Sequence, residues 1–344
     1  MTTTRFDLPA GRDATTPPEL RGLSRDQVRL LVARPEGVQH RRFHDLPGQL
    51  QAGDLLVVNT SATVPAALDA TAPDGRPLVV HVAGPGEKDG WIVELRRTDG
   101  SGPDLAGRPG RRLALAGGVA LVLREPYPAA EVVASRLWRA APVPELPLLP
   151  YLAAHGRPVA YSYLPAPRPL ADYQNVYADQ PGSAEMASAG RPFTAQLLVR
   201  LMARGIQVAP VVLHAGLSSP ERSEPPVPER YQVPAATARL VTGAHAAGGR
   251  VVAVGTTVVR ALETATDRQG RTSAATGWTD LILSRDRPAR AVNGLISGLH
   301  LPEASHLLLL DAVAGPALVD AAYRAAVDEG YLWHEFGDST LLLP

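Results

Sequence analysis

Arg250-Val-Val-Ala-Val-Gly255-Thr-Thr-Val-Val-Arg260-Ala-Leu-Glu263 decides the fold. Residues 250–255 are a continuous apolar run without alternation, the pattern of a strand covered on both faces in a parallel sheet. Gly255 stops the run. From Thr257 to Thr266 the apolar positions return at helical spacing, so strand passes into helix through a single glycine.

The same alternation continues on either side. Phe193 to Gly205 has helical spacing and a glycine stop, and Ile206 to His214 is strand-like. Thr237 to Ala247 is helical, and Pro302 to Gly330 holds two helices broken at Gly315-Pro316. Near the N-terminus, Arg29–Arg34 and Val38–Phe43 flank a Pro35-Glu-Gly turn and predict a hairpin. Gly53 to Asn59 then predicts a buried strand. Between about Ala62 and Glu145 the texture changes. Short β-prone runs recur at roughly ten-residue spacing, separated by Gly, Pro and Asp, as in a small β-barrel or sandwich. The Pro-rich residues 141–150 read as a linker out of it. The expected organisation is α/β: residues 1–61 plus 150–344 form one domain, with 62–149 inserted as a second.

Composition narrows the function classes. The 344 residues are 45% hydrophobic and 20% charged, ordinary for a folded chain. Thirty-four basic residues balance 34 acidic ones, so net charge gives no general attraction to phosphate backbones. Cysteine is absent, which removes disulfides, zinc–thiolate sites and a thiol nucleophile. The start, Met-Thr-Thr-Thr-Arg-Phe-Asp, has no signal-peptide core. Leu307 to Leu310 falls far short of the ~20 residues of a membrane span. A cytoplasmic protein with no membrane partner is expected.

Four stretches can carry chemistry. At Gly255-Thr256-Thr257 either hydroxyl can cap the helix, and the free N–H groups favour an anion. Thr256, Arg260 and Glu263 fall on one helix face, where Arg260 can hold a carboxylate; a capped helix with a surface ion pair has the same spacing. His300, before Leu301-Pro302-Glu303, suits a general base, a donor or a core histidine, and Pro302 suits a first helical position. Asp338 after Gly337 suits a site or a turn. His214 ends a strand, where an open α/β sheet has its ligand crevice, or it is a buried structural histidine. No phosphate loop appears. His300 and His306, six apart, lack helix-face metal spacing, so no metal is expected.

Taken in order, these stretches resemble the S-adenosylmethionine:tRNA ribosyltransferase-isomerase family of queuosine biosynthesis. The resemblance runs from Phe6-Asp-Leu-Pro through Gly53-Asp-Leu-Leu-Val-Val-Asn59, Tyr173-Gln-Asn-Val-Tyr177 and Leu213-His214. It closes with Val254-Gly-Thr-Thr-Val-Val-Arg-Ala-Leu-Glu263, Leu299-His-Leu-Pro and Phe336-Gly-Asp338. It implies a distorted-barrel-like α/β domain with an inserted small β-barrel. It also implies S-adenosylmethionine as substrate, its ribosyl group passing to 7-aminomethyl-7-deazaguanine in tRNA with release of adenine and methionine. The sulfonium acidifies the adjacent C5′ hydrogens, so a positioned base can begin the reaction. The matching positions that the resemblance implies for catalysis are His300, Asp338, Glu229 and His214. Those implied for substrate binding are Thr256, Thr257, Arg260, Glu263, Gly255, Gly337, Tyr177, Ser188 and Gly190.

The chain also departs from the family pattern. Ala62 and Ala67 stand where the family has arginines, and Pro192 stands where it has a histidine. The loop after Gly216 differs, and Pro228-Glu229-Arg230-Tyr231 keeps only the Glu and Tyr of its motif. The sulfonium half is therefore expected to be retained and the acceptor half changed. Three readings follow: the family activity on tRNA, a paralogue using a small-molecule acceptor in specialised metabolism, and a non-catalytic binding protein of the same fold.

Overall fold

The computed structural model describes residues 4–87, 90–128, 135–160, 163–164, 166–218, 227–302 and 304–344. The hairpin forms as expected. β1 (Arg29–Arg34) and β2 (Gly37–Arg42) pair antiparallel, and the buried run after Gly53 becomes β3 (Leu55–Asn59). A short β4 (Ser61–Thr63) leads into six strands that close a barrel: β5 (Ala67–Thr71), β6 (Pro77–Pro85), β7 (Trp91–Arg96), β8 (Arg112–Leu115), β9 (Ala120–Pro126) and β10 (Leu137–Val143). Closure leaves no unpaired edge, and the interior fills with Val80, Val93, Leu95, Leu113, Leu121 and Leu137. Residues 141–150 are not an extended linker. Ala141–Val143 still pair with β9, and α1 (Leu148–His155) starts before the stretch ends. Proline breaks the ladder only between these two elements.

The α/β part then assembles from β11 (Gln180–Ser183), which pairs with β4, α2 (Ala195–Ala203), β12 (Gln207–Leu213), β13 (Glu229–Val233), α3 (Ala235–Ala246), β14 (Val251–Val254) and α4 (Thr256–Thr264). It ends with β15 (Ala275–Thr279), β16 (Gly294–Gly298), α5 (His306–Ala314), α6 (Pro316–Asp328) and β17 (Ser339–Leu342). Nine strands make one mixed sheet in the order β15-β13-β12-β3-β14-β16-β17-β1-β2. Both of its faces are covered by buried apolar side chains, as the unalternated apolar runs require. Leu31, Leu55, Val57, Val211, Val251 and Leu295 face α3 to α6. Leu30, Val32, Leu56, Val252, Val254 and Ile296 face Phe43, Phe193 and α2. Among the described residues no single helix is long and apolar enough to cross a membrane.

Candidate active site

Strand direction gathers the candidate residues. β3, β12, β14 and β16 run parallel and end at Asn59, Leu213, Val254 and Gly298. β17 runs against β16, so Ser339 lies opposite Gly298. β13 runs against β12 and begins at Glu229. Hence His214, Glu229, Gly255–Thr257, Gly298–His300 and Gly337–Asp338 all lie at one end of the sheet. This is the end at which open α/β sheets bind ligands.

The strand-to-helix turn is built differently from the expected hydroxyl cap. Gly255 itself is the N-cap, at φ 97°, a conformation that favours glycine, and no threonine side chain caps α4. The Thr257 hydroxyl instead accepts from Asn59 Nδ2 at 3.2 Å. Asn59 also donates to the Leu213 carbonyl at 2.8 Å and accepts from the Leu213 and Ser61 N–H groups at 3.0 and 3.1 Å. One amide thus ties the ends of β3 and β12 to the start of α4. Asn59 is not among the residues the sequence picks out; its signal there is a polar residue ending an apolar strand.

Arg260 and Glu263 are neither a surface ion pair nor partners of each other. Both are buried. Arg260 pairs with Glu229 and donates to the carbonyls of Leu281 (3.3 Å) and Thr279 (3.1 Å). Glu263 accepts from the Arg290, Ala291 and Val292 N–H groups at 2.8–3.2 Å. Both therefore bind the segment that follows β15, so Arg260 is already committed to a carboxylate of the protein. Burial pushes the Glu229 carboxyl up; Arg260 and the Gly216 N–H, 2.9 Å away, oppose that shift. Burial likewise raises Glu263 against its three backbone donors.

His300 sits half-buried with Nε2 2.9 Å from Ser297 Oγ, and its ring stacks on His306 at 4.6 Å and 3°. Sequence spacing did not reveal this pair, because the turn between the two histidines, not a helix, brings them together. α5 begins at His306, so Pro302 lies before the helix instead of at its first position. Glu303 lies outside the described residues. Burial, with His306 and His334 nearby, holds His300 well below the usual imidazole value, and burial takes His306 to about 4. Both are neutral at pH 7. Among the described residues no group of three His, Cys, Asp or Glu is arranged to hold a metal. His214 Nδ1 lies 2.8 Å from Ser61 Oγ, which in turn is 2.6 Å from Ser183 Oγ.

Asp338 acts as a latch. Its two oxygens accept from the Arg29 N–H (2.7 Å) and the Leu332 N–H (2.9 Å), joining β1 to the turn before β17. Ser188 and Gly190 form a short helical turn on the other side of the sheet end. A Cβ at Gly190 would collide with the Tyr177 hydroxyl, so the pair is held by close approach. Two cavities open here. One is lined by Ser188, Arg191, Pro192, Gly298, Glu335 and Asp338. The other lies between barrel and sheet and is lined by Ile92, Tyr127, His214, Glu229, Arg230 and Trp278. Of the expected site residues, Ser188, Gly337 and Asp338 line the first hollow and His214 and Glu229 the second; Gly255, Thr256, Thr257, Arg260, Glu263, His300, Tyr177 and Gly190 line neither. Glu335 and Trp278 were not singled out in the sequence.

The chain is similar to known proteins over nearly its whole length. A family model described as queuosine biosynthesis protein matches residues 1–342. S-adenosylmethionine:tRNA ribosyltransferase-isomerase of Moorella thermoacetica is 36% identical over 361 aligned positions, covering 98% of each chain. The enzyme of that name from Thermus thermophilus is 38% identical over 339, covering 93% of each. The crystal structure of S-adenosylmethionine tRNA ribosyltransferase from Thermotoga maritima superposes with a TM-score of 0.55 at 28% identity, over 99% of both chains. A full-length family match and relatives above one-third identity leave one assignment: the chain belongs to the queuosine biosynthesis family.

Proposed function

We propose that the protein transfers the ribosyl group of S-adenosylmethionine to 7-aminomethyl-7-deazaguanine in tRNA, releasing adenine and methionine. The observation that carries this reading is the convergence of Asn59, His214, Gly255–Thr257, Gly298–His300 and Gly337–Asp338 at the carboxyl end of one sheet. Relatives matched over nearly their full length carry the same activity in their names. Gly255, Thr256 and Ser188 suit the sulfonium substrate, beside free N–H groups of a helix start that favour its carboxylate. The cleft between barrel and sheet suits the acceptor. Trp278, 55% exposed, with Tyr127 and Arg230 offers flat and cationic faces to an unstacked base. His214 lies in the same cleft, neutral because burial lowers it, and suits proton transfer with the acceptor amine. We place the reaction in the cytoplasm with its tRNA, and take residues 1–61 plus 150–344 as the sulfonium-binding unit and 62–149 as the insertion.

The test is incubation with S-adenosylmethionine and tRNA carrying the aminomethyl-deazaguanine base. Free adenine that depends on that tRNA supports the reading. Adenine formed without it, on addition of small amines, would move the assignment to a small-molecule acceptor. No adenine under either condition would leave a binding protein.

A further inference from the structure

Glu335 lies in the turn before β17 and lines the first hollow beside Ser188, Arg191, Gly298 and Asp338. Its Oε2 is buried without a hydrogen-bond partner among the described residues. Buried carboxylate oxygens are normally satisfied, and no described residue supplies the donor that this one lacks. The other carboxyls at this end of the sheet are committed. Both oxygens of Asp338 hold backbone N–H groups, and Glu229 holds the Gly216 N–H and Arg260.

The charged groups around Glu335 do not neutralise it. On its own turn, His334 Nε2 faces Asp13 at 3.0 Å and stacks on Tyr163. From the N-terminal segment, Arg21 donates to the Phe336 carbonyl, and Arg25 reaches Glu19 and the Gln174 carbonyl. From the segment after Ser188, Arg191 pairs with Glu19 and the Asp172 carbonyl. Burial holds the Glu335 carboxyl up at about 7.

We propose that Glu335 is a ligand-binding residue whose free oxygen receives the cationic end of the sulfonium substrate. On binding, the carboxyl O–H bond breaks, the proton passes to solvent, and the carboxylate pairs with the incoming cation. The inference rests on the proposed function, because it takes the ligand class from that reading.

Calorimetric titration at pH 7, in two buffers of different ionisation heat, tests it. S-adenosylmethionine binding to the wild-type protein should release about half a proton, the fraction carried by a group titrating near that pH. Methylthioadenosine, which keeps the nucleoside and lacks both cationic groups, should release none. E335Q, which removes a buried charge and leaves the fold intact, should bind S-adenosylmethionine about tenfold more weakly with no proton release, and methylthioadenosine as before. An E335Q variant with unchanged affinity and unchanged proton count overturns the inference and leaves the proposed function standing. Failure of the wild-type protein to bind S-adenosylmethionine at all overturns both.

Discussion

Arg260 on α4 holds the carboxylate of Glu229 at the head of β13; the arginine is buried and the glutamate side chain is 12% exposed. The pair joins the helix that opens at Gly255 to the rim of the barrel–sheet cleft. Removing one partner leaves an uncompensated charge in a desolvated place, which typically costs about 3–5 kcal/mol. Arg260→Ala should therefore lower unfolding stability by about 3 kcal/mol in urea titration. Replacing both residues, as Arg260→Met with Glu229→Leu, should recover much of that loss. A stable Arg260→Ala protein that had lost only ligand affinity would return Arg260 to the role of substrate clamp.

Glu263 offers the clearest separation of charge from hydrogen bonding. Its carboxylate gathers three successive N–H groups, Arg290 to Val292. Truncation to Ala orphans them, at about 1–3 kcal/mol for a buried donor left unmade. Glu263→Gln keeps one acceptor and should cost about half as much. Equal losses in chemical denaturation would mean that the amide turns away from the loop.

Asn59 links three elements by one amide, so its truncation should be felt at a distance. Asn59→Ala should destabilise by about 2 kcal/mol, and Thr257→Val, which removes only one acceptor, by about 1 kcal/mol. The two share a hydrogen bond of 3.2 Å, so their effects should be non-additive. A double mutant whose loss equals the sum of the singles would show that the bond contributes nothing.

Why some of this could be read from the sequence and some could not follows from the range of each interaction. Strand β14 and helix α4 are local: four buried apolar residues, a glycine at positive φ and a helical period suffice. Turn spacing reveals the insertion's strands but leaves barrel and sandwich open, because closure depends on pairing between distant strands. Arg260 and Glu263 fell on one face as predicted, but which partners they meet depends on chain 19 to 31 residues away. Helical spacing does not carry that information. The His300–His306 stack and the orphaned Glu335 oxygen depend on how turns fold back on the sheet. The Asp338 latch depends on a partner 309 residues earlier. Chain termini meeting at β1 and β17 have no local sequence signature.

Trp278 tests the acceptor side of the site independently. It stands exposed on β15 at the cleft, where stacking on a base is worth about 1–3 kcal/mol. Trp278→Ala should weaken tRNA binding about tenfold in filter assays and leave S-adenosylmethionine binding unchanged. Wild-type tRNA affinity in this variant would remove the cleft from the RNA path.

Stability against pH separates two opposed groups. Glu335 titrates at about 7 in the folded protein against a usual 4.5, so the folded state holds its proton more tightly. Its contribution is largest below 4.5 and is lost as pH rises towards 7. His306, at about 4 against 6.5, acts in reverse: the unfolded chain takes the proton first, so stability falls as pH drops from 6.5 towards 4. Between these limits the two trends oppose each other in the wild-type curve. Subtracting E335Q cancels the histidine and isolates the carboxyl. The variant should gain on the wild type from pH 5 to pH 7, by about 2 kcal/mol in urea midpoints converted to free energy, and level off above pH 7. Parallel curves across that range would mean that Glu335 ionises without penalty, and that a donor already faces its second oxygen.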